Sequence, residues 1–217
     1  AVSDVDFDED TSTSISVSGS DVDGDALTFS ITEGTNITAT LDGSDIAFTA
    51  SQNFNGSETF TITATDNELS DSQDITVTVN AVNDAPELTS IEDQSINEDN
   101  ELNLLLSSSD IDGDVLTYSI SGGTDIIPTL IGNELTLAPT EHFFGSEIFT
   151  VTVTDGELED LETFTITVNA VNDAPVLATV SDVSFDEDGI GYTWLSSSDV
   201  DGDGLTYSIT GGSDITA

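Results

Sequence analysis

The chain contains no lysine, arginine, cysteine or methionine, and a single histidine, His142, in 217 residues. Without cysteine no disulfide can staple a small core, and without an apolar run near 18 residues no helix is built to cross a bilayer. No secretory leader is visible in the sequence. The missing basic residues leave 44 carboxylates and a formal charge of −44 with no fixed cation. Such a surface repels phosphate backbones and anionic lipid, so nucleic acid and direct membrane insertion are excluded as partners. Hydrophobic residues still make up 36%, too many for a solvated acidic tail, so the charge belongs on a folded surface.

What is present is repeated. Asp21-Val22-Asp23-Gly24-Asp25 returns 89 residues later as Asp110-Ile111-Asp112-Gly113-Asp114 and again as Asp199-Val200-Asp201-Gly202-Asp203, without insertion or deletion. Val82-Asn83-Asp84-Ala85-Pro86 likewise returns as Val171-Asn172-Asp173-Ala174-Pro175. Solenoid repeats run to about 50 residues, so a period of 89 suits a whole domain. The boundaries expected are repeat 1 over 1–86, repeat 2 over 87–175 and a partial repeat 3 over 176–217, with Pro86 and Pro175 closing each unit. The partial unit suggests an internal segment of a longer exported protein, either cut at that point or completed by strands from another copy.

Inside a unit the apolar residues alternate. Leu27, Phe29 and Ile31, then Phe60, Ile62 and Ala64, then Ile75, Val77 and Val79 are separated by Thr, Ser or another polar residue, the period of strands with one buried face. About seven strands are expected, near 4–8, 12–18, 26–32, 36–41, 45–50, 57–66 and 72–82. That pattern predicts an all-β fold, tandem immunoglobulin-like Greek-key sandwiches, with Gly56 and Gly145 needed for turn geometry. In the third unit Tyr192 and Trp194 break the apolar phase, so either a bulge resets the strand or both rings face outward.

Asp-x-Asp-Gly-Asp sets three carboxylates around a tight turn, a spacing that lets oxygens converge on one hard cation such as calcium. The EF-hand version is rejected, because Ser121 stands eleven residues after Asp110 where a glutamate would be required. Like charges two residues apart cost stability unless something neutralises them, which favours bound Ca2+ over a merely solvated surface. His142, beside Phe143 and Phe144 and with Asn53 at its place in unit one, reads as a non-catalytic turn residue, and the chain as no enzyme.

These words in this order resemble the cadherin-like tandem repeats of large bacterial surface and extracellular adhesins. The carriers are DIDGDVLTYSI (Asp110 to Ile120), NFNGSETFTITATD (Asn53 to Asp66), VNDAP and an early-strand Glu9 or Glu98. The resemblance implies calcium held where neighbouring repeats of the chain meet. The first junction would use Glu9, Asn83, Asp84, Asp110, Asp112 and Asp155, and the second Glu98, Asn172, Asp173, Asp199 and Asp201. Asp21, Asp23 and Asp66 are the counterparts in unit one. The linker is shorter than that of animal cadherins, with Ala81 at its first acidic position, so one or two ions per junction are expected. The implied role is a calcium-rigidified extender of a bacterial cell-surface or extracellular adhesin or fibre. A calcium-dependent polysaccharide-binding module and a self-assembling filament subunit are the alternatives, with glycans or other copies of the chain as partners.

Overall fold

A computed structural model describes residues 2–212, and residues 213–217 of the expected third unit lie outside that range. The chain divides into two compact units, residues 1–86 with 109–115, and residues 87–108 with 116–217.

In the first repeat, β1 (Val5–Asp8), β2 (Ser12–Ser16), β3 (Thr28–Ile31), β4 (Ile37–Asp42), β5 (Asp45–Ala50), β6 (Gly56–Thr65) and β7 (Ser70–Asn80) form two sheets. One has the order β1-β7-β6-β3 and the other β2-β5-β4. All pairs are antiparallel except β1 with β7, where Val5 lies opposite Val77. Each strand falls within about two residues of its sequence expectation, because period-two burial is what both the pattern and the sandwich require.

The second unit repeats this arrangement with two short additions. Its strands are β8 (Glu87–Leu88), β9 (Gln94–Asn97), β10 (Leu102–Leu105), β11 (Ser108–Ser109), β12 (Thr117–Gly122), β13 (Ile126–Ile131), β14 (Glu134–Pro139), β15 (Gly145–Thr154) and β16 (Glu159–Asn169). The sheets run β12-β15-β16-β9 and β10-β14-β13, again with one parallel pair, β9 with β16. Pro128 sits on β13, an edge strand, where the missing amide hydrogen breaks no interior ladder. Beyond it, β17 (Val176–Leu177) pairs with β18 (Ser197–Ser198), the last strands among the described residues. Of the two arrangements open for Tyr192 and Trp194, the outward one is found: they are 81% and 93% exposed.

Both cores are built from the facing sides of the two sheets. Phe48 on β5 meets Phe60 on β6 edge to face, with centroids 5.5 Å apart and planes at 65°. In the second repeat Phe149, the counterpart of Phe60, stacks instead on Phe164 at 5.8 Å and 27°, while Leu137 occupies the place of Phe48. The second ring has moved from one sheet to the other at nearly constant volume, the kind of exchange a packed core tolerates. Gly56 and Gly145 open β6 and β15 at φ +146° and +149°, a region that only glycine enters without strain. They are the turn glycines the sequence pattern required.

Candidate metal centres

Glu9 follows β1 and Glu98 follows β9, and these are the buried charged residues among those described, each 3% exposed. Each spends one oxygen on the linker: Glu9 Oε1 accepts the Val82 amide at 2.7 Å, and Glu98 Oε1 accepts the Val171 amide. The next residue, Asp10 or Asp99, lies at φ 56° or 60°, in the left-handed region that Asp enters more readily than most residues. That twist turns Asp10 Oδ1 to the amide of Asn53 and Asp99 Oδ1 to the amide of His142, both at 3.2 Å across 43 residues of sequence. Asn53 and His142 are themselves left-handed, at φ 53° and 59°.

The linker supplies the next carboxylate. In the first unit Asn83 Nδ2 donates to the Asp84 carbonyl at 3.2 Å, and the Asp84 amide donates to Asp112 Oδ2 at 2.8 Å. Asp110 Oδ1 accepts the amides of Gly113 and Asp114, forming the turn. One carboxylate oxygen from each of Asp110, Asp112 and Asp114 then lies within 4.8 Å of the other two. Asp84 Oδ2 and Asp110 Oδ2 are shut off from solvent without a hydrogen-bond partner. Burial, together with the charges of Asp10, Asp112, Glu9 and Asp110, pushes the Asp84 carboxyl above the ordinary carboxylate range. Two screened, unbonded oxygens beside a group of like-charged carboxylates fit a hard divalent cation with oxygen ligands such as calcium. Asp110, Asp112 and Asp114 offer the grouped oxygens, and Asp84 and Glu9 the neighbouring carboxylates, that could hold it.

In the second unit the linker contacts recur, with a different turn at the Asp-x-Asp loop. Asn172 Nδ2 donates to the Asp173 carbonyl at 2.9 Å, and the Asp173 amide donates to Asp201 Oδ2 at 2.6 Å. Asp199 Oδ1 accepts the amides of Asp201 and Asp203. A further difference is His142, whose Nδ1 lies 2.9 Å from Asp173 Oδ2 and 3.9 Å from Asp99 Oδ2. Burial pushes the imidazole pKa down, but Asp173, Asp99 and Glu141 more than offset it, so the ring holds its proton above the usual histidine value. It is the one side chain able to carry positive charge into this acidic setting.

The remaining candidates from the sequence form turns of their own. Asp21 Oδ1 accepts the amides of Asp23 and Asp25 at 2.8 and 3.2 Å, while Asp23 is exposed. Asp66 Oδ1 accepts the amides of Leu69 and Glu68, which holds its carboxyl below the usual range. Asp155 Oδ1 does the same for Glu157 and Leu158 at 2.6 and 2.7 Å. Sequence reasoning passed over Asp10, Asp99 and His142 as members of the clusters. The recurrence of Asp99 at Asp10 plus 89, directly after the buried glutamate, was the available signal.

A family model described as bacterial Ig domain matches residues 1–78 and again 83–169. A chitinase A of Pseudoalteromonas piscicida is 34% identical over 111 residues, 49% of this chain and 14% of the chitinase. An endo-fucoidan hydrolase of glycoside hydrolase family 107 aligns over 78% of this chain and 27% of its own length, at 21% identity and a TM-score of 0.33. Cadherin domains 1–2 of human protocadherin-24 align over 72% of this chain and 88% of their own, at 16% identity and a TM-score of 0.46. The chain thus spans about one seventh of the curated relative it matches.

Proposed function

Because the chain belongs to the bacterial Ig domain family through two consecutive domains, we propose that it is a non-catalytic extender segment of a bacterial extracellular or cell-surface protein, stiffened by calcium. The reading rests on one observation: Asp84 Oδ2 and Asp110 Oδ2 are screened from water with no hydrogen bond, inside a cluster that already raises the Asp84 carboxyl. Unpaired buried carboxylate oxygens are costly, and bound calcium would supply the two positive charges that remove the cost. Asp110 and Asp112 lie on a loop joined covalently at both ends to the second repeat, whereas Glu9 and Asp84 belong to the first. Ligands drawn from both would restrict the hinge at Pro86. The resemblance to cadherin-like repeats of bacterial adhesins points the same way.

Saturation at about a hundredfold over the dissociation constant would add roughly 2.7 kcal/mol per site. Extracellular modules commonly bind calcium at about 0.1–1 mM, a range met outside cells rather than within them. The deciding experiment compares thermal melting and small-angle scattering of the chain in chelator and in millimolar calcium. A higher melting temperature with a longer maximum dimension supports the reading. Identical values in both conditions overturn it.

The chitinase relative favours a second reading, in which the chain is a spacer or glycan-contacting module of a polysaccharide-degrading enzyme. Retention on insoluble chitin in calcium would support it, and passage through the matrix with calcium-dependent extension would favour the extender.

A further inference from the structure

We propose that Glu98, Asp99, His142 and Asp173 form a site for a borderline first-row transition dication of the zinc class, distinct in chemistry from the all-oxygen cluster of the first unit. The inference rests on reading these clusters as cation sites, but not on the first one's preference for calcium.

One donor atom from each of the four side chains lies within 4.8 Å of the others. A zinc ion at about 2.0–2.1 Å from nitrogen and oxygen ligands has a tetrahedral edge of about 3.4 Å. The separations of His142 Nδ1 from Asp173 Oδ2 and from Asp99 Oδ2, 2.9 and 3.9 Å, bracket that edge.

The two carboxylates that follow β9, Glu98 and Asp99, are each held by a hydrogen bond through their other oxygen, and the Asp173 backbone is tied to Asp201, which limits the ordering left for binding. Glu98 is 3% exposed, with Oε1 tied to the Val171 amide. Asp99 gives Oδ1 to the His142 amide and keeps Oδ2. Asp173 is anchored through its amide to Asp201, leaving Oδ2 screened from solvent and directed at the equally screened His142 Nδ1. On the far edge of the ring, Nε2 lies 3.6 Å from the exposed Glu141 Oε1, an ion-pair contact longer than a hydrogen bond.

The first repeat provides an internal control. The same buried glutamate, left-handed aspartate and linker aspartate occur as Glu9, Asp10 and Asp84, but Asn53 replaces the histidine. An imidazole nitrogen is what turns an oxygen set suited to calcium or magnesium into one suited to zinc, cobalt or nickel.

The test titrates cobalt into the full chain in calcium-saturated buffer and follows visible d–d absorption, then displaces cobalt with zinc. About one equivalent of cobalt should bind with resolved bands. His142→Asn, which copies the first repeat at a left-handed position asparagine accepts, should lower cobalt affinity at least tenfold, about the least that even outer-shell changes cost. The reciprocal Asn53→His should raise the stoichiometry towards two. Equal cobalt binding by the wild type and His142→Asn would show adventitious carboxylate binding and overturn the proposal, as would the absence of bands. Calcium-dependent melting of both proteins is measured alongside. Its persistence in His142→Asn together with lost cobalt binding supports both readings, and its absence in both proteins removes the calcium reading alone.

Discussion

The amide of Asp84 donates to Asp112 Oδ2 at 2.8 Å, and 89 residues later the amide of Asp173 donates to Asp201 Oδ2 at 2.6 Å. A backbone donor therefore holds the Asp-x-Asp loop against the linker before any ion arrives. The side-chain carboxylates, by contrast, repel one another. Local geometry is fixed by backbone amides donating to carboxylates, and the remaining net charge is left for a cation to satisfy.

That division predicts a change of sign at Asp84. In chelator, Asp84→Asn removes one of the converging charges and should raise the melting temperature. In millimolar calcium it removes a ligand and should lower the melting temperature relative to the wild type. Circular dichroism melts of the two proteins in the two conditions test this, and a substitution effect of the same sign in both would count against calcium at this cluster.

The pH dependence follows from the same residue. The Asp84 carboxyl lies above its unfolded value in the folded chain. Its contribution to stability is thus fully present below the unfolded value, about 3.9, and is lost as pH rises through the folded value. In chelator the wild type should therefore lose stability relative to Asp84→Asn as pH climbs through and above the usual carboxylate range. Urea melts at stepped pH check the difference, and parallel curves would show that the cluster exerts no net repulsion.

The strands were legible because alternation at Phe29, Ile31, Phe60, Ile62, Ile75 and Val77 reports directly which face is buried. The Asp-x-Asp and Asn-Asp words were legible because repetition separated them from the surrounding acidity. The roles of Asp10, Asp99 and His142 were not, since they depend on left-handed turns that bring together residues 43 apart in sequence. Glu58 and Glu147 were equally hidden. Their strand positions read as ordinary polar sites, and only the folded backbone shows the three amides each one collects.

The exchange of rings between the two cores gives a packing test. Phe48→Leu alone should destabilise the first repeat by about 1–2 kcal/mol, by lost contact with Phe60 and the space left behind. Ile75→Phe alone should cost a similar amount by overpacking. Together they reproduce the second repeat's pairing of Leu137 with Phe164, so the double variant should recover about 0.5–1.5 kcal/mol relative to the sum of the singles. Denaturant unfolding of the four proteins measures the coupling, and strict additivity would show that the two cores are not interchangeable.

Glu58 carries a stabilising device that owes nothing to metal. Its Oε2 accepts the amides of Thr35 and Ile37 at 2.9 and 3.3 Å, and its Oε1 accepts that of Asn36 at 2.8 Å, so one carboxylate closes the turn between β3 and β4. Burial pushes this carboxyl up, but the Asn36, Thr35 and Ile37 amides together outweigh it and hold it below the usual range. A depressed folded value contributes stability that is present above the unfolded value, about 4.3, and is lost as pH falls through the folded one. Glu58→Ala should cost about 1–3 kcal/mol at neutral pH by stranding these donors, and the deficit should shrink in acid. Gly34 shares the turn. A Cβ there would stand 2.2 Å from the Ile37 carbonyl oxygen, 2.4 Å from Glu58 Oε2 and 2.7 Å from the Phe60 ring, so Gly34→Ala must push the turn off the carboxylate. The double variant should then lose less than the sum of the two, whether calcium is present or chelated. Additive losses in denaturant unfolding would mean that the glycine and the glutamate stabilise the turn independently.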